Sequence, residues 1–130
     1  MAAKVALFAE EDGVAHVLRV TRAHPPFDGG PALPGGRVRP GEPSSAAAVR
    51  ILGEETGIEI GEDVLYPLQG ALAAPGYRAD GYSGLLPPIR PASPGGDVAD
   101  ATWVPIYEAH SVDRPLQDDD GDFYMMARGN

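Results

Sequence analysis

Glu54 and Glu55 stand side by side at the end of a helix-prone run, with Arg50 four residues before the first of them and Glu42 eight before the arginine. If the run is helical, residues 51, 54 and 55 lie at i, i+3 and i+4 and share a face. Two adjacent carboxylates on one face suit a hard divalent cation, which takes oxygen ligands. Alone, a Glu-Glu pair near a helix end is more often solvated surface, so the pair needs support from its surroundings. The histidines do not supply it: His16, His24 and His110 are widely separated and form no metal-spaced motif. No Ser-His-Asp or Gly-x-Ser-x-Gly arrangement stands out, and Gly81-Tyr82-Ser83-Gly84 lacks the elbow spacing.

The segment around the two carboxylates carries its own folding signals. Gly35 and Gly36 follow Leu33-Pro34, a strand-ending turn where backbone must pass close to other groups. Pro43 and Ser44 open a helix, with Ser44 or Ser45 expected to cap free N–H groups. Residues 45–52 are helix-prone, although Gly53 costs about 1 kcal/mol relative to Ala. Gly57 is placed for a left-handed stop. Ala47 with Ile51, and Ala48 with Leu52, make i, i+4 apolar pairs that predict a buried stripe.

Across residues 36–58 the fixed points are Gly36, Glu42, Arg50, Leu52, Glu54, Glu55, Gly57 and Ile58. Their spacing resembles the Nudix box, the loop–helix–loop of Mg²⁺-dependent hydrolases that split a diphosphate linked to some other group. The family pattern is Gly, five residues, Glu, seven residues, Arg-Glu-aliphatic, one residue, Glu-Glu, one residue, Gly-aliphatic. Every fixed position matches except the one held by Ile51, where the family has Glu. The resemblance implies an α/β fold, a Nudix-type α/β/α sandwich with a mixed β-sheet and the box helix beside a cleft. It implies Mg²⁺ (or Mn²⁺) held by Glu54 and Glu55, with Arg50 completing the catalytic frame.

The same resemblance shows what is missing. The family's Glu at the position of Ile51 is a metal ligand that often helps activate water; an aliphatic chain can neither ligate Mg²⁺ nor accept a proton. Arg39 is a second departure, standing where many members carry an acid in Gly-Gly-x-x-Glu-x-Gly-Glu. A guanidinium there weakens cation binding but can hold a phosphate. Members often supply a further acidic ligand or base from the loop before a late strand containing Trp. Here that points to Asp97, after two glycines, as a catalytic and metal-binding residue, with Asp100 as the alternative. Loops outside the box set selectivity, so residues 22–30 and 74–82 are the expected walls. Arg22, Arg39 and Arg78 are the expected phosphate contacts; Tyr77, with Phe27 and Tyr82, is a candidate for stacking, and His24 a further wall contact.

Composition agrees with one domain over residues 1–130. With 43% apolar residues, 130 residues suffice for a single core. A formal charge of −9 opposes nonspecific binding to a nucleic-acid polymer. An acidic protein can still hold anionic phosphates through a metal and a few local arginines. With no cysteine there is neither disulfide nor catalytic thiol. The apolar run before Glu10 is too short for a signal peptide or membrane span, which makes the cytoplasm the expected compartment. The partner implied is a small-molecule diphosphate, with no membrane, and a homodimer is admitted.

Residues 4–9 and 15–21 are β-prone runs around Glu10-Glu11-Asp12-Gly13 and read as a hairpin. Residues 64–73 and 82–89 are strand candidates flanking a loop over 74–80, with Pro87 and Pro88 marking a strand edge or end. Residues 101–104 form a further strand, 105–110 one helical turn and 122–128 a short terminal helix. The run Asp118-Asp119-Asp120 reads as a solvated loop. Three functions fit these residues. The first is a weak or atypical Nudix-type hydrolase of a nucleoside diphosphate derivative or similar molecule. The second is a Nudix-fold ligand-binding protein without hydrolysis. The third is an enzyme that reuses the cleft for other biosynthetic chemistry.

Overall fold

The computed structural model describes residues 1–23, 31–68, 72–74, 77–96 and 98–108. Its first element pair is the expected hairpin: β1 (Ala2–Glu11) and β2 (Val14–Arg22) are antiparallel, with Glu11 opposite Val14. Asp12 and Gly13 turn the chain with φ of 52° and 77°, the two positive values that match the twist of a tight hairpin. β3 (Pro31–Ala32) then pairs with β2, and β4 (Gly35–Arg37) with the start of β1.

The remaining strands build outward from β1 and β2. After helix α1 (Ser44–Thr56) and a 3₁₀ turn at Glu62–Val64 come β5 (Leu65–Pro67), β6 (Leu72–Ala74), β7 (Tyr77–Pro88) and β8 (Val98–Pro105). β7 runs parallel to β1 over almost its whole length, while β5 and β6 pair antiparallel with β7. β8 lies antiparallel on β2. The result is one mixed sheet in the order β3-β2-β1-β7-β5, with β4, β6 and β8 attached to β1, β7 and β2.

One edge of β1 is shared by two partners. β4 takes residues 2–4 and β2 takes residues 8–11, so these two strands diverge from the middle of β1. The backbone N–H of Val5 donates to Pro34 O (3.0 Å) at the point of divergence. β4 therefore peels toward α1 and carries the glycine pair to the helix.

β1 is buried on both faces, as the core strand of a covered sheet must be. Ala3, Val5, Leu7 and Ala9 join Ala47, Ala48, Ile51 and Leu52 of α1 in one apolar cluster. Ala6 points the other way and packs with Val17, Leu33 and Val104. The stripe expected on α1 is the observed one, since Ala47, Ala48, Ile51 and Leu52 are all buried. The terminal helix expected over 122–128 and the acidic run 118–120 lie outside the described residues.

Three local expectations are corrected. The stretch 64–73 is not one strand: Val64 closes the 3₁₀ turn, and β5 and β6 are separate short partners of β7. Much of the expected 74–80 loop is strand, because Ala74 faces Tyr77 and Ala73 faces Arg78, which carries pairing to either side of residues 75–76. β7 itself ends at Pro88, opposite Glu10 past a register shift, as the two prolines predict for a strand end. Finally, neither serine caps α1. Pro43 is the N-cap residue and no side chain bonds the helix start. Ser44 Oγ instead meets the Tyr82 hydroxyl, and Ser45 Oγ donates to Glu62 Oε1 (2.6 Å).

Candidate functional site

The C-terminal turns of α1 face a cleft whose opposite wall is β4. Gly57 ends the helix with φ of 72° and donates its N–H to Gly53 O (2.9 Å). Thr56, fully buried, donates its hydroxyl to Leu52 O (2.6 Å) and receives the Ile58 N–H. This tight finish fixes the last turn, and with it Glu54 and Glu55.

β4 approaches α1 closely because its residues lack side chains at the contact. A Cβ on Gly36 would lie 3.3 Å from Ile51 Cδ1 of the helix, whereas one on Gly35 would lie 3.0 Å from Ala3 O of the neighbouring strand β1. The Gly35 N–H donates to Glu55 Oε1 (3.1 Å), so the glycine turn seats one of the two carboxylates directly.

Arg50 ties the rest together. Its Nε and Nη2 donate to the two oxygens of Glu42 (2.9 and 3.0 Å), a bidentate pair. Nη1 reaches both oxygens of Glu54 (3.2 and 3.3 Å), and Nη2 also bonds Arg37 O (3.0 Å). One guanidinium thus joins the loop before the helix, the strand β4 and the carboxylate at the helix end. Glu42 accepts a further bond from the Arg39 N–H (3.1 Å). The hydrogen bond from Arg50, then that backbone bond, hold the Glu42 carboxyl well below its usual range, at about 2. The same pairing raises the Arg50 guanidinium.

The cleft has a volume of about 440 Å³. Glu54, Glu55 and Ile51 line it from the helix, Gly35, Gly36 and Arg37 from β4, and Arg39 and Gly96 from the loops. Glu54 and Arg50 also border a second hollow of about 450 Å³ behind the helix, but Glu55 does not reach it. Of these two, only the first brings both carboxylates together. Arg39 Nη2 stands 3.7 Å from Glu54 Oε1, with both side chains at least half exposed. Ile51 is 3% exposed and belongs to the core, its δ-methyl end toward Gly36 at the cleft floor.

The loop after β7 is fastened to the same helix end. Ser93 N–H donates to Thr56 O (2.9 Å) and Gly95 N–H to Glu55 O (3.2 Å). A Cβ on Gly95 would fall 2.3 Å from Glu54 O, so only glycine allows this approach. Farther out, Trp103 Nε1 donates to Arg90 O (2.7 Å) and Arg90 Nη1 to Glu59 O (2.9 Å).

The structure brings Arg39, Arg50, Glu54 and Glu55 together as the sequence implies. Asp97 lies outside the described residues; Gly96 before it lines the cleft. Asp100 sits on β8 opposite Thr21, exposed and away from the lining. Arg22 ends β2 opposite Val98, and Tyr77 begins β7 opposite Ala74; neither side chain is among those described. Arg78 is exposed on β7 opposite Ala73 and is not among the described lining residues. Tyr82 is no loop contact: it is 8% exposed and packed in the core beneath α1. His24 and Phe27 lie outside the described residues. Sequence reasoning missed Arg37, for which strand register and the glycine pair gave the only signal.

Whether these residues suit Mg²⁺ follows from the donors. Such an ion is commonly held by one or two carboxylates, with water and substrate phosphate completing its shell. Glu54 and Glu55, adjacent on the cleft wall, fit that limited role. Among the described residues no third His, Cys, Asp or Glu joins them, and Ile51, which also lines the cleft, brings no oxygen.

Fold and site together define a domain whose box loop and helix line one wall of a cleft on a mixed sheet. The family model for the NUDIX domain matches residues 1–128, and the chain belongs to that family. Among solved structures it is similar to the NUDIX domain of Shewanella oneidensis NrtR bound to ADP ribose. That match has 24% identity and a TM-score of 0.85, and covers 98% of this chain and 85% of that one. An Ap4A hydrolase from C. elegans matches with 19% identity and a TM-score of 0.75, over 99% and 94% of the two chains. Shewanella oneidensis NrtR complexed with a 27mer DNA matches with 21% identity and a TM-score of 0.72, over 99% of this chain and 60% of that one. No curated protein matches this chain. Among the described residues, no helix is long and apolar enough to cross a membrane.

Proposed function

We propose that the protein is a slow Nudix-type hydrolase of a diphosphate linked to another moiety, a nucleoside diphosphate derivative or a similar small molecule. The observation that carries this reading is the Arg50 network, which holds Glu42 and Glu54 while Gly35 seats Glu55 on the wall of the same cleft. The ADP ribose bound to the Shewanella domain and the Ap4A named for the nematode enzyme are both adenosine phosphates, which supports that substrate class.

Glu54 and Glu55 are the residues that would hold Mg²⁺ or Mn²⁺. When bound, such an ion neutralises phosphate oxygens and lowers the pKa of an attacking water. The chain itself does the positioning. Arg50 orients Glu54, the Gly35 N–H orients Glu55, and Arg39 offers a forked donor to a phosphate oxygen. Ile51 offers no oxygen to take a proton from water, and that gap sets the slow rate. Asp97 is the proposed supplementary acid, and Arg22, Arg78 and Tyr77 the proposed outer contacts. The strongly acidic chain supports a small-molecule partner over a nucleic-acid polymer. DNA binding by NrtR carries little weight, because this chain spans only 60% of that protein.

A second reading, ligand binding without hydrolysis, rests on the burial of Ile51 in the core. Calorimetric titration with Mg²⁺ and Mn²⁺ separates the two. Millimolar or tighter binding that disappears in Glu54→Gln/Glu55→Gln supports the hydrolase. No binding, even with phosphate ligands present, supports the second reading.

A further inference from the structure

Arg39 stands beside Glu54 at the same cleft. Its Nη2 is 3.7 Å from Glu54 Oε1, and the same carboxylate also receives Arg50. Arg50 is committed, because Glu42 takes two of its donors at 2.9 and 3.0 Å in a half-buried pair. Arg39 is not committed. Its guanidinium meets Glu54 in an exposed, solvent-screened contact that is easily exchanged. Arg37 is exposed on the opposite wall and has no ion-pair partner among the described residues. In a chain of net charge −9, the exchangeable Arg39 guanidinium and the exposed residue Arg37 therefore border one cleft of about 440 Å³.

We infer that Arg37 and Arg39 form a diphosphate-binding subsite that works without a divalent cation, the Arg39 guanidinium being the built-in counter-charge. A diphosphate draws Arg39 from Glu54 because its oxygens carry more charge and accept the planar fork in two places. Binding and turnover then have separate requirements: the arginines hold the anion, and the carboxylates serve the water-attack step. The inference rests on the reading that this cleft takes a diphosphate.

The test is calorimetric titration of the full chain with ADP and with inorganic pyrophosphate, once in EDTA and once in Mg²⁺, alongside an assay of Mg²⁺-dependent turnover. The expected result is a dissociation constant in EDTA within about threefold of that in Mg²⁺. Arg37→Ala/Arg39→Ala weakens binding in EDTA at least about tenfold, while its melting curve stays that of the wild type because both side chains are exposed. Arg39→Glu loses binding in EDTA and regains it when Mg²⁺ is added. Wild-type binding that needs Mg²⁺, or arginine variants that bind as wild type in EDTA, overturns the inference. If turnover persists in either case, the hydrolase reading survives it. No binding of either probe under both conditions, with no turnover, overturns both.

Discussion

Glu42 and Glu54 are both bonded to Arg50, yet they belong to different parts of the protein's workings. Glu42 lies on the loop before α1, its side chain 18% exposed, with a bidentate arginine and a backbone N–H filling its oxygens. Glu54 lies at the helix end, its side chain 50% exposed, with longer bonds to Arg50 and a looser one to Arg39. The first carboxylate is spent on holding the box together. The second is only steadied, and its remaining surface is open to whatever enters the cleft. Similar residues at fixed spacing can thus preserve a scaffold while the chemistry beside them changes, as at Ile51 and Arg39.

The most forceful way to break the contrast is to put a third carboxylate next to Glu54. Ile51→Glu buries a charge where the side chain is 3% exposed, and we expect a loss of about 2–4 kcal/mol in chemical denaturation. Because Ile51 also lines the cleft, the folded variant is expected to bind Mg²⁺ more tightly and to hydrolyse diphosphates faster than wild type. A folded variant with tighter metal binding and no hydrolysis means that the cleft serves another purpose.

Removing the shared guanidinium comes next. Arg50→Ala leaves Glu42 without its bidentate partner and frees the loop from β4, so the melting temperature should fall by about 5 °C. Glu54→Gln, by contrast, should leave it within about 2 °C of wild type, since an exposed pair adds little. Equal losses in the two variants would erase the distinction drawn here.

Acid sharpens the same contrast. The Glu42 carboxyl is depressed from 4.5 to about 2 in the folded protein, so the stability it lends is complete above 4.5. That contribution drains away as pH falls from 4.5 toward 2, because protonation then favours the unfolded chain. Urea midpoints measured over this window should drop more steeply for wild type than for Glu42→Gln. Parallel profiles would remove Glu42 from the frame.

The bounds of α1, its buried stripe and its stop at Gly57 were legible because spacing and glycine each have one physical outcome there. The β1–β2 hairpin was legible through the Asp12-Gly13 turn. The strand content of residues 77–80 was hidden because Pro75-Gly76 reads as the centre of a long loop, although register carries pairing up to it on both sides. Tyr82 was misplaced for a related reason: where the expected cleft wall meets the expected strand 82–89, an aromatic looks like a ligand contact until β7 turns it under the helix. At the site, spacing located Glu54 and Glu55, but not that β4 would set Gly35 against Glu55 and bring Arg37 to the cleft. Those depend on β1 splitting its edge between β2 and β4, a pairing no local pattern encodes.

The most direct measurement is the Mg²⁺-dependent release of products from ADP ribose and related nucleoside diphosphate derivatives, in wild type and in Glu54→Gln/Glu55→Gln. Slow but measurable cleavage by wild type is expected and none by the double variant, with Glu42, Arg50 and the fold undisturbed. Absence of cleavage across the panel at millimolar Mg²⁺ or Mn²⁺, or cleavage that persists unchanged in the double variant, would contradict this expectation.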